Sequence, residues 1–330
     1  DPAVYTAKID PDTKAPQYNE IVLGVDHELF AEFRVGAKYF YRERKNALDT
    51  VLYDKATGKP WYTAEKGGSW WVPYTTTVPA YGNYSASQVT VYFPSVGSPW
   101  LTRFTLFTNV AESTRQYSAF ELTFDKRYSH GWTLGGSIVF SKTYGDNSGR
   151  AGSQHGFSGA YDNPNWFVNR LGRTDDDRPL AIKLYGAVEL PFGFVGSFYA
   201  RVFSGFPYTR TVSVYPPTGW AAANGAIDTG GVGILAETQG SRRLPMISNI
   251  DARLEKSFNL GKGRSLAAGV DVYNLIGNTY INAGVDPAGT WIPTLDDPKA
   301  GKYTVSSNYG RVNSISQMVR LYKFNLKFTF

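Results

Sequence analysis

The last twelve residues of the chain read VRLYKFNLKFTF. Tyr322, Phe324, Leu326, Phe328 and Phe330 fall on one face of an extended strand. Leu321, Lys323, Asn325, Lys327 and Thr329 fall on the other. Period two is the spacing at which a strand shows alternate residues to opposite sides. An aromatic outer face, a charged inner face and a final Phe fit the closing strand of an outer-membrane β-barrel. In water the same strand is an aggregation-prone edge. The alternative is an edge strand of a soluble sandwich, with its aromatics turned into a core.

Composition narrows the choice. The 330 residues include 23 Tyr, 20 Phe, 8 Trp and 34 Gly, yet the mean hydropathy is −0.30. A membrane-spanning helix needs about 18 or more consecutive apolar residues, and the sequence has no such run. A transmembrane barrel conceals its apolar residues by alternating them with polar ones. With no Cys, a disulfide framework and a thiolate metal site are excluded. The net charge of +6 is modest, and no Lys/Arg cluster is interleaved with aromatics as nucleic-acid binding requires. Neither nucleic acid nor a cofactor is expected as a partner. The opening DPAVYTAKID has neither Met nor a signal peptide, as a mature or truncated start would read.

The alternation recurs along the chain. Residues 131–144 place Trp132, Leu134, Ile138 and Phe140 against Thr133, Gly135, Ser137 and Ser141. Residues 116–128 set Phe120, Leu122 and Phe124 against Glu121, Thr123 and Asp125, with Ser129-His130 as the tight connection. Further strands are predicted over 179–190, 194–208, 247–259 and 264–276, joined in pairs by turns at 191–193 and 261–263. Near the start, Ile21, Leu23 and Val25 oppose Glu20 and Asp26. Phe33, Val35, Ala37, Tyr39 and Tyr41 then oppose Arg34, Lys38 and Arg42. These strands run to about a dozen residues, near the length of a tilted transmembrane strand and about twice the globular mean.

Loop lengths add a second signal. Residues 145–178, 211–246 and 277–314 form connections far longer than the usual four to six or so. They alternate with tight turns, the asymmetry of a barrel with short periplasmic turns and long external loops. Residues 46–114 read either as one large excursion or as a strand pair near 88–93 and 103–110. The count is roughly nine to eleven strands. Either count makes the first and last strands run the same way, and two such strands cannot close an antiparallel barrel. An odd number of further strands is therefore expected before this chain or from another one.

Catalysis has little to work with. A nucleophile needs a nearby base, and His27, His130 and His155 are the only histidines. His130 falls in a tight turn, and His27 lies on the lipid-facing parity. His155 stands near Ser153 and Ser158 without a carboxylate at triad spacing, so the chain is not expected to be an enzyme. Asp175-Asp176-Asp177 before Arg178-Pro179 could bind a hard cation but lacks the spaced ligands and Gly of an EF-hand loop, and a solvated strand entry with an Asp–Arg pair is the favoured reading. Trp166, Trp220 and Trp291 in the long loops are the candidate ligand-binding residues, because indoles stack on flat ligands. Loop packing is the competing reading. Inward charges such as Lys183, Arg201, Asp251, Arg253, Glu255 and Asp271 must find partners, among themselves or on a domain inside the barrel.

Ordered stretches across nearly the whole chain resemble TonB-dependent outer-membrane receptors, in particular the Oar-like subgroup. They are KAPQYNEIVLGVDHEL with YFYRERKNAL, FTLFTNV, FELTFDKRYSHGWTLGGSIVFSKTYG, DNPNWF, RTDDDRP, VELPFGF, SGFPYTR, RRLPMISNIDARLEKSF and GVDVYNLIGNT. The resemblance implies an all-β fold, an antiparallel transmembrane β-barrel of roughly 22 strands with a plugged lumen. Residues 1–330 would be the C-terminal portion of that larger barrel, the plug and N-terminal strands lying outside this chain. It further implies residence in the outer membrane of a Gram-negative-type bacterium, in contact with its lipid. A scarce solute would be taken up with the help of a TonB-type energy-coupling protein, which meets the N-terminal region outside this chain. Tyr322, Phe324, Leu326, Phe328 and Phe330 would form the signal read by the barrel-assembly machinery. A non-transporting barrel, whether adhesin, porin or assembly scaffold, is the alternative.

Overall fold

The computed structural model describes residues 7–102, 104–146, 161–277, 279–280, 288–307, 309–311, 316–317 and 319–330. Nine long strands make one continuous antiparallel sheet in chain order. They are β1 (Gln17–Phe30), β2 (Phe33–Lys45), β3 (Arg115–Ser129), β4 (Trp132–Gly145) and β5 (Leu180–Leu190), followed by β6 (Phe194–Phe203), β7 (Ile247–Gly261), β8 (Arg264–Tyr273) and β9 (Leu321–Thr329). Four tight turns join β1 to β2, β3 to β4, β5 to β6 and β7 to β8. Four long excursions, 46–114, 146–179, 204–246 and 274–320, join the others. Antiparallel order puts every turn on one rim and every excursion on the other.

The turn chemistry explains the hairpins. His130 (φ 50) and Gly131 (φ 79) form the β3–β4 turn, and Lys262 (φ 52) and Gly263 (φ 75) form the β7–β8 turn. Two consecutive left-handed residues match the twist of the flanking strands, and Gly takes such angles without strain. The first hairpin thus turns on His130-Gly131 rather than Ser129-His130, and Ser129 stays in the strand, paired with Trp132.

Register turns the sequence alternation into two faces. Ala37, Leu122, Ile138, Ile182 and Val202 are successive cross-strand neighbours. So are Gly196, Leu254, Val270 and Phe324. This outer face is exposed: Leu254 is 42% accessible and Phe324 82%. On the inner face Lys38 opposes Glu121 and Arg34 opposes Asp125. Asp271 stands between Arg253 and Lys323. A slip of one residue would exchange the faces, so the register is what separates apolar from charged.

Both edges of the sheet are open among the described residues. β1 pairs only with β2, β9 only with β8, and β1 is exposed along its whole length. Nine is odd, so the two edge strands run in the same direction and cannot pair antiparallel with each other.

The excursions depart most from the sequence reading. The strands near 88–93 and 103–110 exist, as Ser87–Pro94 and Phe104–Asn109, but they do not pair with each other. Ser87–Pro94 pairs with Trp71–Val78, and Phe104–Asn109 pairs with Leu48–Tyr53. The sequence hid these partners because Pro73 interrupts the first and the second has only six residues. The strand predicted over 194–208 ends at Phe203. A Cβ on Gly205 would lie 2.1 Å from the Leu244 carbonyl oxygen, so the chain there passes directly under 244–245. Pro207–Tyr208 then pairs with Arg242–Arg243. A further sheet orders Val232–Leu235, Thr211–Val214, Ala288–Pro293 and Gly301–Val305. The long connections are a folded cap, not open loops.

Candidate functional site

The cap holds the buried core of the molecule. Of the buried hydrophobic side chains among the described residues, only Ala119 and Ile247 lie on the nine sheet strands. One core gathers Tyr74, Val91 and Phe93 from the first excursion, Val212 and Ile234 from the third and Trp291 from the fourth. The other joins Val51, Leu52, Trp61 and Trp71 to Tyr161 of the second. A loop without a core of its own gains burial by sharing one with its neighbours.

Polar bolts cross the same seams. Arg210 is 1% exposed. Its Nε donates to the Tyr309 hydroxyl (3.1 Å), Nη1 to the Ser85 carbonyl (3.0 Å) and Nη2 to the Pro79 carbonyl (2.7 Å). Its guanidinium lies 5.5 Å from the Tyr84 ring centre and 5.2 Å from that of Tyr303. Asp177 is fully buried. It takes Arg243 at 2.6 Å and Arg173 at 3.1 Å, and accepts the Thr143 amide. Two of the three acidic residues are therefore held by arginines, Asp176 by Arg115. The Asp–Arg pairing read from the sequence is present, but Asp177 is buried rather than solvated, and Arg178 lies over the Phe206 ring, 3.9 Å from its centre.

Between the first three excursions lies a cavity of about 410 Å³, walled by Trp71, Tyr92, Trp100 and Trp166 with Arg170 beside them. Local chemistry builds it. Pro164 starts a short 3₁₀ turn, Pro164–Phe167, capped by the Asn163 side chain. Asn165 uses its amide as a strand would, accepting from the Tyr92 N–H and donating to the Tyr92 carbonyl, both at 2.8 Å. That clamp fixes Trp166 against the strand of Tyr92. Trp71 stacks on Trp61 at 5.1 Å and donates its indole N–H to the Trp61 carbonyl. Trp100 meets both edge-on. Gly67 is required here, since a Cβ would fall 2.3 Å from the Trp71 ring. The Arg170 guanidinium lies 3.8 Å from the Trp166 ring centre. Burial lowers its pKa, opposed by the charges of Tyr161, Asp146 and Asp175. A cavity of this size with aromatic walls and both a cation, Arg170, and an acid, Asp162, in its lining suits a small organic solute.

The three tryptophans singled out in the sequence do not converge. Trp166 lines the cavity. Trp220 packs on Tyr74 and Phe93 in the other core. Trp291 is 2% exposed and donates to the Thr76 hydroxyl. The sequence reading missed Trp71, Trp100, Tyr92 and Arg170. The signal was present, because Trp61, Trp70, Trp71 and Trp100 put four of the eight Trp in one excursion. His27 lies within β1 and His130 in its turn, while His155, Ser153 and Ser158 lie outside the described residues. Tyr322, Phe324, Leu326, Phe328 and Phe330 are all exposed, Phe330 at 95%.

The inner wall carries a second cavity of about 500 Å³ lined by Asp26, Arg34, Lys38, Glu121, Asp125 and Lys183. Lys183 opposes Arg201, and Arg201 opposes Asn249, which is fully buried. The Arg201 Nε and both amide atoms of Asn249 have no hydrogen-bond partner among the described residues.

An apolar outer face, a charged inner face, and turns and excursions on opposite rims together define the wall of an outer-membrane β-barrel. The sequence matches the family described as "Outer membrane beta barrel domain" over residues 2–216, more than half of its length, and the chain belongs to that family. The protein resides in the outer membrane. It is 24% identical over 279 residues to "TonB-dependent transporter Oar" of Myxococcus xanthus, as the Oar-like resemblance anticipated. That alignment covers 83% of this chain and 22% of the relative, so the chain spans about a fifth of the relative's length. Among solved structures it is similar to the outer membrane transporter YddB from Escherichia coli. That likeness has 14% identity and a TM-score of 0.47, covering 96% of this chain and 33% of the other. Both relatives are described as transporters, neither as an enzyme.

Proposed function

We propose that this chain is the C-terminal part of a TonB-dependent outer-membrane transporter and that its cap captures a scarce solute at the cavity of Trp166 and Arg170. The observation that carries this reading is the welding of four excursions into one cap on a single rim, with an aromatic-walled cavity between three of them. Two open edges running the same way support a larger barrel completed by an odd number of further strands. The charged inner wall, with Asp26, Arg34, Lys38, Glu121 and Asp125 around one cavity, supports a polar domain seated in the lumen. Energy from a TonB-type protein would reach the barrel through that domain. A surface adhesin is the second reading, since a folded cap also suits a partner on another cell.

The test uses the full-length protein in its own cells. Solutes depleted from the medium are profiled for the native strain, a deletion strain and strains carrying Trp166→Ala or Arg170→Ala. At least one solute should be depleted by the native strain only, with uptake reduced tenfold or more in both variants at equal barrel abundance. Identical depletion by native and deletion strains would remove the transport reading. Whole-loop deletions are a poor test, because each excursion supplies part of a core shared with the others.

A further inference from the structure

The outward positions of β6, β7, β8 and β9 carry only two charged side chains, Lys256 and Arg264, both basic. Arg264 opens β8 beside its turn. Lys256 is different, because it lies inside the sheet, in register between Phe194 and Ala268. Its Nζ stands 4.7 Å from the Phe194 ring centre and 5.1 Å from that of Phe258. Among the described residues it has no carboxylate or hydrogen-bond partner. A lysine on the lipid face is destabilising in proportion to its depth, and an ionisable group there calls for a named partner.

The partner's shape is given by an open groove of about 550 Å³ on the same face. Leu254, Phe258, Ala268, Val270, Phe324 and Leu326 line it, and Lys256 lies in the row between those of Leu254 and Phe258. The polarity of the groove is set by the strands. Phe194 directly follows the Pro191–Gly193 turn, so Lys256 points to the tight-turn rim. The row of Leu254, Val270 and Phe324 lies one step nearer the cap. Tight turns face the periplasm. Lys256 thus stands on the periplasmic side of the apolar Leu254 row, and a long lysine stem lets its ammonium reach toward the headgroups.

We propose that this groove seats one anionic phospholipid of the periplasmic leaflet, with its phosphate on Lys256 and an acyl chain over Ala268 and Val270. Charge selects this occupant over a second copy of the chain. The outward face of these four strands offers no acid, so a copy would set basic residues against basic residues. A free phosphate would leave the apolar groove without a role.

The full-length protein is purified in detergent, delipidated, and mixed with dioleoyl-phosphatidylglycerol or dioleoyl-phosphatidylcholine before native mass spectrometry. Heat-modifiable gel mobility confirms that each variant is folded. The native protein and Lys256→Arg should retain one phosphatidylglycerol, and Lys256→Ala should lose at least fivefold in occupancy. Ala268→Trp, which fills the groove and leaves the charge, should lose occupancy as well. Equal retention by native protein and Lys256→Ala overturns the proposal. So does phosphatidylcholine retained as well as phosphatidylglycerol, displacement of lipid by soluble glycerol phosphate, or a second copy cross-linked through position 256.

Discussion

Arg210 shows how much one residue can hold. Its guanidinium reaches the first and fourth excursions from the third, through two carbonyls and one hydroxyl. The fork geometry of arginine serves three divergent acceptors at once, which a lysine cannot do. Arg210→Lys should leave buried acceptors unpaired at about 1–3 kcal/mol each. It should therefore loosen the cap to protease while the sheet remains intact; unchanged digestion would count against this. Asp54 offers a pH signature. The Thr57 hydroxyl, aided by the Ala56 and Thr57 amides and against the effect of burial, holds its carboxyl below the usual value. A depressed carboxylate stabilises the fold above its unfolded pKa of about 3.9, and that contribution disappears as pH falls through the folded value. Protease sensitivity near Asp54 should rise below about pH 4 in the native protein and change less in Asp54→Asn. Neither residue was legible in the sequence. Arg210 is one of many arginines, and its acceptors lie more than a hundred positions away in the cases of Ser85 and Pro79.

At the scale of elements, the sheet strands were legible and the cap strands were not, for one physical reason. A barrel strand meets lumen on one face and lipid on the other along its whole length, so its residues alternate in chemistry. The strand Thr211–Val214 instead buries Val212 and Val214 against several excursions over only four residues. Too short to show a period, it read as loop. Trp291 and Trp166 likewise look alike in sequence, yet one is sealed in a core and the other lines a cavity. The long strands give direct predictions. Val270 lies on the outer face between Leu254 and Phe324. Val270→Arg should cost about 2–4 kcal/mol near the bilayer midplane, read as a lower urea midpoint for refolding into vesicles. Among the described residues nothing covers the exposed aromatic face of β9. Removal of residues 328–330 should send the protein to the periplasm or to degradation, and unchanged membrane levels would deny this face a role in insertion.

At the scale of the whole molecule, two unlike bodies are joined along one rim. The wall has an apolar exterior and little buried apolar core, so it depends on a bilayer. The cap has two cores and depends on water to drive their formation. Which solvent meets each face of the wall decides between a barrel wall and a soluble sheet. The chain has no Cys, so single cysteines can be placed and spin-labelled along 252–258 and 268–272 of the full-length protein in vesicles. Collision with lipid-soluble oxygen and with a water-soluble nickel chelate is then measured at each site. Oxygen accessibility should peak at Leu254, Lys256, Val270 and Val272, and nickel accessibility at Arg253, Glu255 and Asp271, out of phase with period two. Protection of Leu254 and Val270 from both reagents would place that face in a protein core and contradict a wall facing lipid.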